Sequence, residues 1–184
     1  YILGDTNFVD QKHIEDVLDL EDDTKVNKKL VLPRGLYVYR NNDHILFTNK
    51  EITYEEVEFS YKLPKEGIIK IKELGVFVET KLISIERFKN MKVDKSSKGF
   101  DVDKFKGGIF VRNKKSGDKI KLAGGSKKLK NLFIDLKIPR EERSKIPVVV
   151  DEEEVVCVGD YKISENYKID ANTKEVLKIT FKKL

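Results

Sequence analysis

Short apolar stretches separated by charged turns run along the whole chain and predict its elements. In the first part, Ile14, Val17 and Leu18 recur at helical spacing behind the capping candidates Asp5, Thr6 and Asn7, which predicts a short amphipathic helix. The stretch "KLVLPRGLYVYRNNDHILF" then predicts two strands joined by a turn at "NND". Further strands are predicted in "EEVEFSYKL" and "GIIKIKELGVFVETKLISI".

The second half of the chain mixes strand and helix periods. The stretch "KKLKNLFIDLKI" predicts a helix, and its buried stripe consists of Leu129, Leu132, Phe133 and Leu136. Pro139 fits the first turn of a second short helix, "PREERSKI". Strands are predicted in "GGIFVR", in a hairpin within "PVVVDEEEVVCVGDYKI", and in the final "EVLKITFKKL".

A polar stretch without apolar period, "KVDKSSKG" at 92–99, predicts a domain boundary. We therefore expect an α+β chain of two small modules. Residues 1–24 form a connecting helix and loop, residues 25–98 a mainly β first module, and residues 99–184 an α+β domain with a basic helix packed on a sheet.

Composition narrows the classes of function. The apolar runs are too short to cross a bilayer and the start lacks a signal pattern, so we expect a cytoplasmic location without a membrane partner. No Walker, GxSxG or HExxH motif occurs, and His13 and His44 lie far apart, so no catalytic residue and no metal site is predicted. The single cysteine, Cys157, fits a small buried hydrophobe, and Asp151 to Glu154 fit a solvated turn.

Charge is divided unevenly along the chain. Residues 1–60 carry 7 Lys and Arg against 13 Asp and Glu, whereas residues 112–145 carry 12 against 4. A basic zone of this kind indicates an anionic partner for the second half, although a solvated lysine-rich surface fits the composition equally well.

The stretch "GGSKKLKNLFIDLKIPREER" gives the basic zone a candidate geometry. Ser126 resembles a helix N-cap, and Gly124 and Gly125 before it would let backbone N–H groups face an anion at the helix N-terminus. Lysines in a first turn oppose the helix dipole, which a bound phosphate would offset. The predicted nucleic-acid contacts are Arg112, Lys114, Lys127, Lys128, Lys130, Lys137, Arg140 and Arg143.

Several phosphates contacted together fit double-helical RNA better than a small anion, and the few aromatics give base stacking little support. Two alternatives stay open. Arg112 and Arg143 could instead pair with Asp118 or Asp135 and hold the fold. The whole chain could also be a structural or protein-interaction module whose basic surface is neutralised internally.

Residues 100–163 resemble the C-terminal domain of the tRNA(Ile)-lysidine synthetases, with weaker similarity upstream in "KKLVLPRGLYVYRNNDHILF". The resemblance rests on residues that follow the family pattern in order and spacing: Arg112, Gly117, Asp118, Lys127, Lys128, Leu129, Lys130, Phe133, Asp135, Lys137, Pro139, Arg140, Arg143 and Pro147. The family's large residue near position 157 and its SGGxDS loop are absent from this sequence.

The resemblance implies that residues 1–184 are the C-terminal portion of an ATP-dependent ligase and are not catalytic by themselves. It implies tRNA(Ile) as partner, gripped by its acceptor stem and body. A separate N-terminal domain would use ATP and magnesium to join lysine to the wobble cytidine. No cofactor is expected in residues 1–184, and the sequence leaves a homodimer open.

Overall fold

Antiparallel strands are the main regular elements of the protein in the computed structural model, which describes residues 8–22, 28–41, 44–53, 56–92 and 96–183. The described α-helices are α1 (Gln11–Leu18), α2 (Ile85–Asn90) and α3 (Leu129–Asp135), and the predicted second short helix is a 3-10 helix, Arg140–Lys145. The described strands are β1 (Lys28–Leu32), β2 (Leu36–Arg40), β3 (Ile45–Thr48), β4 (Ser60–Lys62), β5 (Gly67–Ile71), β6 (Val76–Ser84), β7 (Ser97–Asp101), β8 (Ile109–Arg112), β9 (Lys119–Leu122), β10 (Gly125–Lys128), β11 (Val148–Asp151), β12 (Glu154–Val158), β13 (Lys162–Ile163) and β14 (Glu175–Lys183). The expected α+β class is confirmed.

The chain divides into two compact units, of which the first comprises residues 1–55 and 137–141. Its sheet has the antiparallel order β1-β2-β3. Helix α1 begins at Asp10, whose carboxylate accepts from the backbone N–H of His13 while the His13 ring accepts from the Asp10 N–H. The predicted caps Asp5, Thr6 and Asn7 lie outside the described residues. Leu20, Leu32 and Val38 belong to the small core of this unit.

The second unit comprises residues 56–136 and 142–184. It contains a five-stranded sheet of order β13-β12-β11-β8-β4, a four-stranded sheet of order β5-β6-β14-β7 and a two-stranded hairpin, β9–β10. Residues of both larger sheets share one apolar core, which includes the fully buried Val78, Phe100, Val111 and Ile179. This core is large enough to fix both sheets and the connections between them.

The predicted module boundary near residue 98 does not separate the two units. Strand β4 pairs with β8, with Ser60 opposite Arg112, and β6 pairs with β14 along its whole length, with Ser84 opposite Glu175. The polar stretch at 92–99 instead leads from α2 into the edge strand β7. Ser97, at the start of β7, is buried and its hydroxyl is hydrogen-bonded to that of Thr180, so part of this polar stretch is packed inside one unit.

Two smaller findings concern buried polar groups. Asp151, expected in a solvated turn, is buried and accepts from the backbone N–H groups of Lys106 and Gly107 at 2.7 and 2.9 Å. Cys157 is fully buried, as expected, and burial raises the pKa of its thiol to about 12.

In the described ranges no helix is both long and apolar enough to span a membrane.

Candidate nucleic-acid interface

The hairpin β9–β10 holds the centre of the basic zone. Its strands pair in antiparallel register, with Lys128 opposite Lys119, Lys127 opposite Ile120 and Ser126 opposite Lys121. A two-residue loop, Ala123 and Gly124, joins the strands, and Gly125 follows with a φ of 118°. A positive φ of this size favours glycine, so the sequence "AGG" suits a tight reversal at this point.

Side chains alternate across the hairpin and give it two different faces. On one face Ile120 is fully buried. On the other face Lys119, Lys121, Ser126 and Lys128 are all exposed, and Lys130 is exposed in the first turn of α3. We call Lys119, Lys121, Lys128 and Lys130 the lysine face. Within the described part of the chain none of these four lysines has an ion-pair partner.

Like charges lie directly opposite each other on the lysine face. Lys119 and Lys128 are cross-strand partners, and such pairs of equal charge destabilise a sheet by some tenths of a kcal/mol. An anion placed over the two ammonium groups would reverse the sign of this term. Phosphates of a nucleic-acid backbone are anions of this kind.

Asp118 fixes the base of this hairpin. Its carboxylate accepts from both terminal nitrogens of Arg112 at 2.9 Å and from the backbone N–H of Lys115 at 2.7 Å. Its backbone carbonyl accepts from the N–H of Leu129 at 2.9 Å, at the start of α3. One residue therefore connects β8, the hairpin and the helix, and it determines where the lysine face points.

The predicted anion site at a helix N-terminus is wrong. Gly125 and Ser126 lie in strand β10, and Gly124 lies in the hairpin loop. Helix α3 begins only at Leu129, its N-cap position is Lys128, and no side chain caps it. The glycines reverse the chain rather than present N–H groups to a phosphate, because Gly125 with its positive φ starts a strand that pairs back onto β9.

Helix α3 itself agrees with the prediction. Leu129, Leu132 and Phe133 are buried, and Leu136 is half-buried directly after the helix. At the other end, the ammonium group of Lys127 pairs with the carboxylate of Asp135. The side chain of Lys127 is 40% exposed and that of Asp135 is 51% exposed, so the pair lies on the surface. The charge of Lys127, a predicted contact, is therefore partly neutralised.

Arg112, predicted as a phosphate contact, has a structural position instead. Its side chain is 4% exposed, and that of Asp118 is 8% exposed, so the pair is shielded from any RNA. Arg143 is also buried. Lys114 is half-buried, with its ammonium group 3.7 Å from the carboxylate of Glu56. The alternative that an arginine holds the fold is therefore correct for Arg112, with Asp118 as its partner.

Lys137 and Arg140 are exposed, but they lie in the segment 137–141 that groups with the first unit. They stay predictions.

Lys119 and Lys121 are the residues that the sequence reasoning missed. The alternation in "KIKL", followed by the loop and by "GSKK", is the signal of a hairpin with Lys119, Lys121 and Lys128 on one face.

In the described residues, no cluster of three or more His, Cys, Asp or Glu side chains could hold a metal ion.

The comparison with protein families adds to this geometry. Residues 109–179 match the TilS substrate C-terminal domain, a stretch that starts with β8 and includes the hairpin, α3 and most of β14. The match begins after β4 and β6, so the matched stretch shares its sheets with strands that precede it in sequence and pair with β8 and β14.

Curated relatives extend the similarity over the whole chain. The chain is 66% identical over 184 residues to the tRNA(Ile)-lysidine synthase of Clostridioides difficile (strain 630), covering all of this chain and 40% of that protein. It is 38% identical over 188 residues to the tRNA(Ile)-lysidine synthase of Caldanaerobacter subterraneus subsp. tengcongensis, covering 39% of that protein. The chain thus spans about two fifths of the length of these relatives, and the resemblance to tRNA(Ile)-lysidine synthetases is confirmed.

A solved structure supports the fold. The crystal structure of a TilS C-terminal domain superimposes with a TM-score of 0.60 and covers 70% of this chain and 98% of that chain. The sequence identity is 23%, so this likeness concerns the fold of the TilS C-terminal domain alone.

Proposed function

We propose that this chain binds tRNA(Ile) for a tRNA(Ile)-lysidine synthase, through phosphate contacts made by the lysine face. The observation that carries the proposal is the exposed pair Lys119 and Lys128, two cations directly opposite each other on a rigid hairpin. Lys121 and Lys130 extend the same positive surface. Lys127, Lys137 and Arg140 are further candidates from the sequence.

Phosphate contacts position an RNA without reading its bases. A hairpin anchored at Asp118 is suited to this role, because its strands hold the backbone of each lysine in a fixed register while the flexible side chains adapt to the RNA. The contacted part of the tRNA is its acceptor stem and body, whose double-helical phosphates are recognised by shape.

The proposed reaction belongs to the longer protein. A catalytic domain outside residues 1–184 would activate the wobble cytidine of tRNA(Ile) with ATP and magnesium and join lysine to it, in the cytoplasm. The present chain would contribute by holding the tRNA at the correct distance and orientation, since fixing a reactant in place removes translational and rotational freedom before the reaction.

The protein-interaction alternative has one observation in its favour. Arg112, Lys114 and Lys127 each have a carboxylate partner inside the chain, as an internally neutralised surface requires. The four members of the lysine face lack such partners in the described residues, and for this reason we favour RNA.

A binding assay with the full chain tests the proposal. The variant K119Q/K121Q/K128Q/K130Q should bind a labelled tRNA(Ile) transcript at least about tenfold more weakly than the native chain at 0.1 M salt, since exposed charge contacts contribute up to about 1 kcal/mol each. The two-lysine control K62Q/K162Q removes exposed charges from the edge strands β4 and β13 and should change affinity far less. Equal affinity of native and four-lysine variant chains would refute the proposal.

A further inference from the structure

A second basic surface lies on the outer face of the four-stranded sheet. The lysine face belongs to a different sheet, the two-stranded hairpin β9–β10. The inner face of this sheet carries Val78 and Ile179, which are fully buried in the main core. On the outer face, Lys81 of β6 lies directly opposite Lys178 of β14. The sheet therefore presents another pair of like charges in a position where they destabilise it slightly.

Carboxylates do not balance the charge of this face. Glu79 accepts from two lysines at once, with its oxygens 2.6 Å from the ammonium groups of Lys81 and of Lys182. This one carboxylate, shared by two lysines, leaves a positive excess, and Lys178 has no ion-pair partner in the described part of the chain. Lys70 adds a further cation, 5.5 Å above the ring of Phe77 on the same face.

Helix α2 turns one end of this face into a groove. The helix covers Ile83 and Val176, which are buried with Ile85 and packed against Phe88. Phe88 lies so close to Gly99 of β7 that a Cβ atom there would stand 2.4 Å from its ring. Beside the helix remains a groove of about 810 Å³, lined among others by Ile68, Lys81, Arg87, Met91 and Lys178.

The lining of the groove is suited to an extended anionic chain. Arg87 on the helix and Lys178 on the floor lack ion-pair partners in the described residues, so cations stand on the floor and on one wall. Glu66 also lines the groove, and Glu79 is neutralised by its lysines. Ile68 and Met91 are exposed by 62% and 36% and offer apolar contact to ribose carbons.

We propose that this groove binds a second stretch of RNA phosphodiester backbone, so that the TilS-type unit contacts its RNA at two separate surfaces. The proposal rests on the proposed function, because it takes the same RNA as the partner of both surfaces. An acidic protein segment is the competing occupant. RNA is favoured because the groove offers dispersed cations and only two exposed apolar side chains, whereas protein interfaces bury an apolar centre.

The first test measures the salt dependence of binding of the full chain to a labelled tRNA(Ile) transcript. The variant R87Q/K178Q should lower the magnitude of the log–log slope by about 1.4 to 1.8, since each lost phosphate contact lowers it by about 0.7 to 0.9. The charge-matched control K62Q/K162Q should leave the slope nearly unchanged. A groove variant that matches this control would overturn the groove proposal.

The lysine-face variant separates the two proposals. If K119Q/K121Q/K128Q/K130Q loses affinity while R87Q/K178Q does not, the groove proposal fails and the proposed function stands. If neither variant loses affinity, both fail. If R87Q/K178Q loses binding to a labelled decaglutamate peptide but keeps full tRNA affinity, the occupant is an acidic protein segment and the groove proposal is wrong.

The second test locates the RNA and does not depend on a loss of affinity. A Met91→Cys variant carrying a benzophenone label should form light-dependent crosslinks to the tRNA, and native Cys157 should stay unlabelled because it is fully buried. A Lys62→Cys variant with the same label serves as the control and should give few crosslinks. Crosslinks from a labelled Ser126→Cys variant without any from Met91→Cys would contradict the proposal.

Discussion

Arg112 and Asp118 form a buried pair in which two guanidinium nitrogens each donate to a different carboxylate oxygen at 2.9 Å. The pair connects strand β8 to the residue directly before the hairpin that carries the lysine face. Removing one member leaves the other charged and buried, which commonly costs about 3–5 kcal/mol. We therefore expect Arg112→Ala to lower the free energy of unfolding by about this amount, measured by urea denaturation with tyrosine fluorescence.

Lys128→Ala provides the contrast to Arg112→Ala. Removing the exposed side chain of Lys128 should change the free energy of unfolding by less than about 0.5 kcal/mol, since surface substitutions away from special features have small effects. It should nevertheless weaken tRNA binding. An Arg112→Ala chain that unfolds like the native one would show that the buried pair does not support the hairpin.

The pair of Asp135 and Lys127 gives a prediction in which tRNA affinity increases. The Asp135→Asn variant removes the carboxylate that pairs with Lys127 and should raise tRNA affinity by about two- to fivefold, because one more ammonium group becomes available to phosphate. Stability should change by less than about 1 kcal/mol, as both side chains are exposed. The measurement is the tRNA titration at low salt.

Glu165→Gln is the control for that charge change, since Glu165 pairs with Lys168 outside the hairpin. It should raise affinity less than Asp135→Asn does. Equal gains from both variants would mean that net charge, and not the release of Lys127, determines the effect.

Gly99 and Phe88 test the packing that forms the groove. A Cβ atom at position 99 would stand 2.4 Å from the Phe88 ring, so Gly99→Ala should displace α2 and lower stability by about 1–3 kcal/mol. Gly124→Ala is the matched control, since no atom lies within 4 Å of its added Cβ. Thermal unfolding followed by circular dichroism compares the two, and equal melting temperatures would contradict the packing described.

The carboxylate of Glu79 makes the free energy of unfolding depend on pH. Its hydrogen bonds with Lys182 and Lys81 lower the pKa of its carboxyl to about 2, below the ordinary value of 4.5. Because the folded-state pKa is the lower one, the stabilisation is fully present above about pH 4.5 and is lost as the pH falls toward 2. Its size is on the order of 1 kcal/mol, because both lysines are more than half exposed.

The Glu79→Gln variant should therefore differ from the native chain near neutral pH and converge with it near pH 2. Urea denaturation at a series of pH values measures this difference. A constant difference across the series would show that the carboxylate charge is not responsible.

Local patterns in the sequence were sufficient for the helix α3 and for most strands. Leu129, Leu132 and Phe133 stand at helical spacing, and the structure buries all three. The division into units could not be predicted, because it depends on pairings between distant residues such as Ser84 and Glu175. A polar stretch does not show which strands the chain connects, and Ser97 in the stretch at 92–99 is in fact buried.

The candidate site was predicted in position but not in form. The basic zone is where the sequence places it, yet Ser126 lies in a strand because Gly125, with its positive φ, begins a hairpin. Burial decided the outcome for Arg112, and no local pattern distinguishes a buried arginine from an exposed one. Lys119 and Lys121 belong to the lysine face only because of the cross-strand register.

The salt dependence of tRNA binding by the lysine-face variant tests the central claim most directly. Four lost phosphate contacts should lower the magnitude of the log–log slope by about 2.8 to 3.6, relative to the native chain, for K119Q/K121Q/K128Q/K130Q. A slope equal to that of the native chain would contradict the claim that these four lysines hold the RNA.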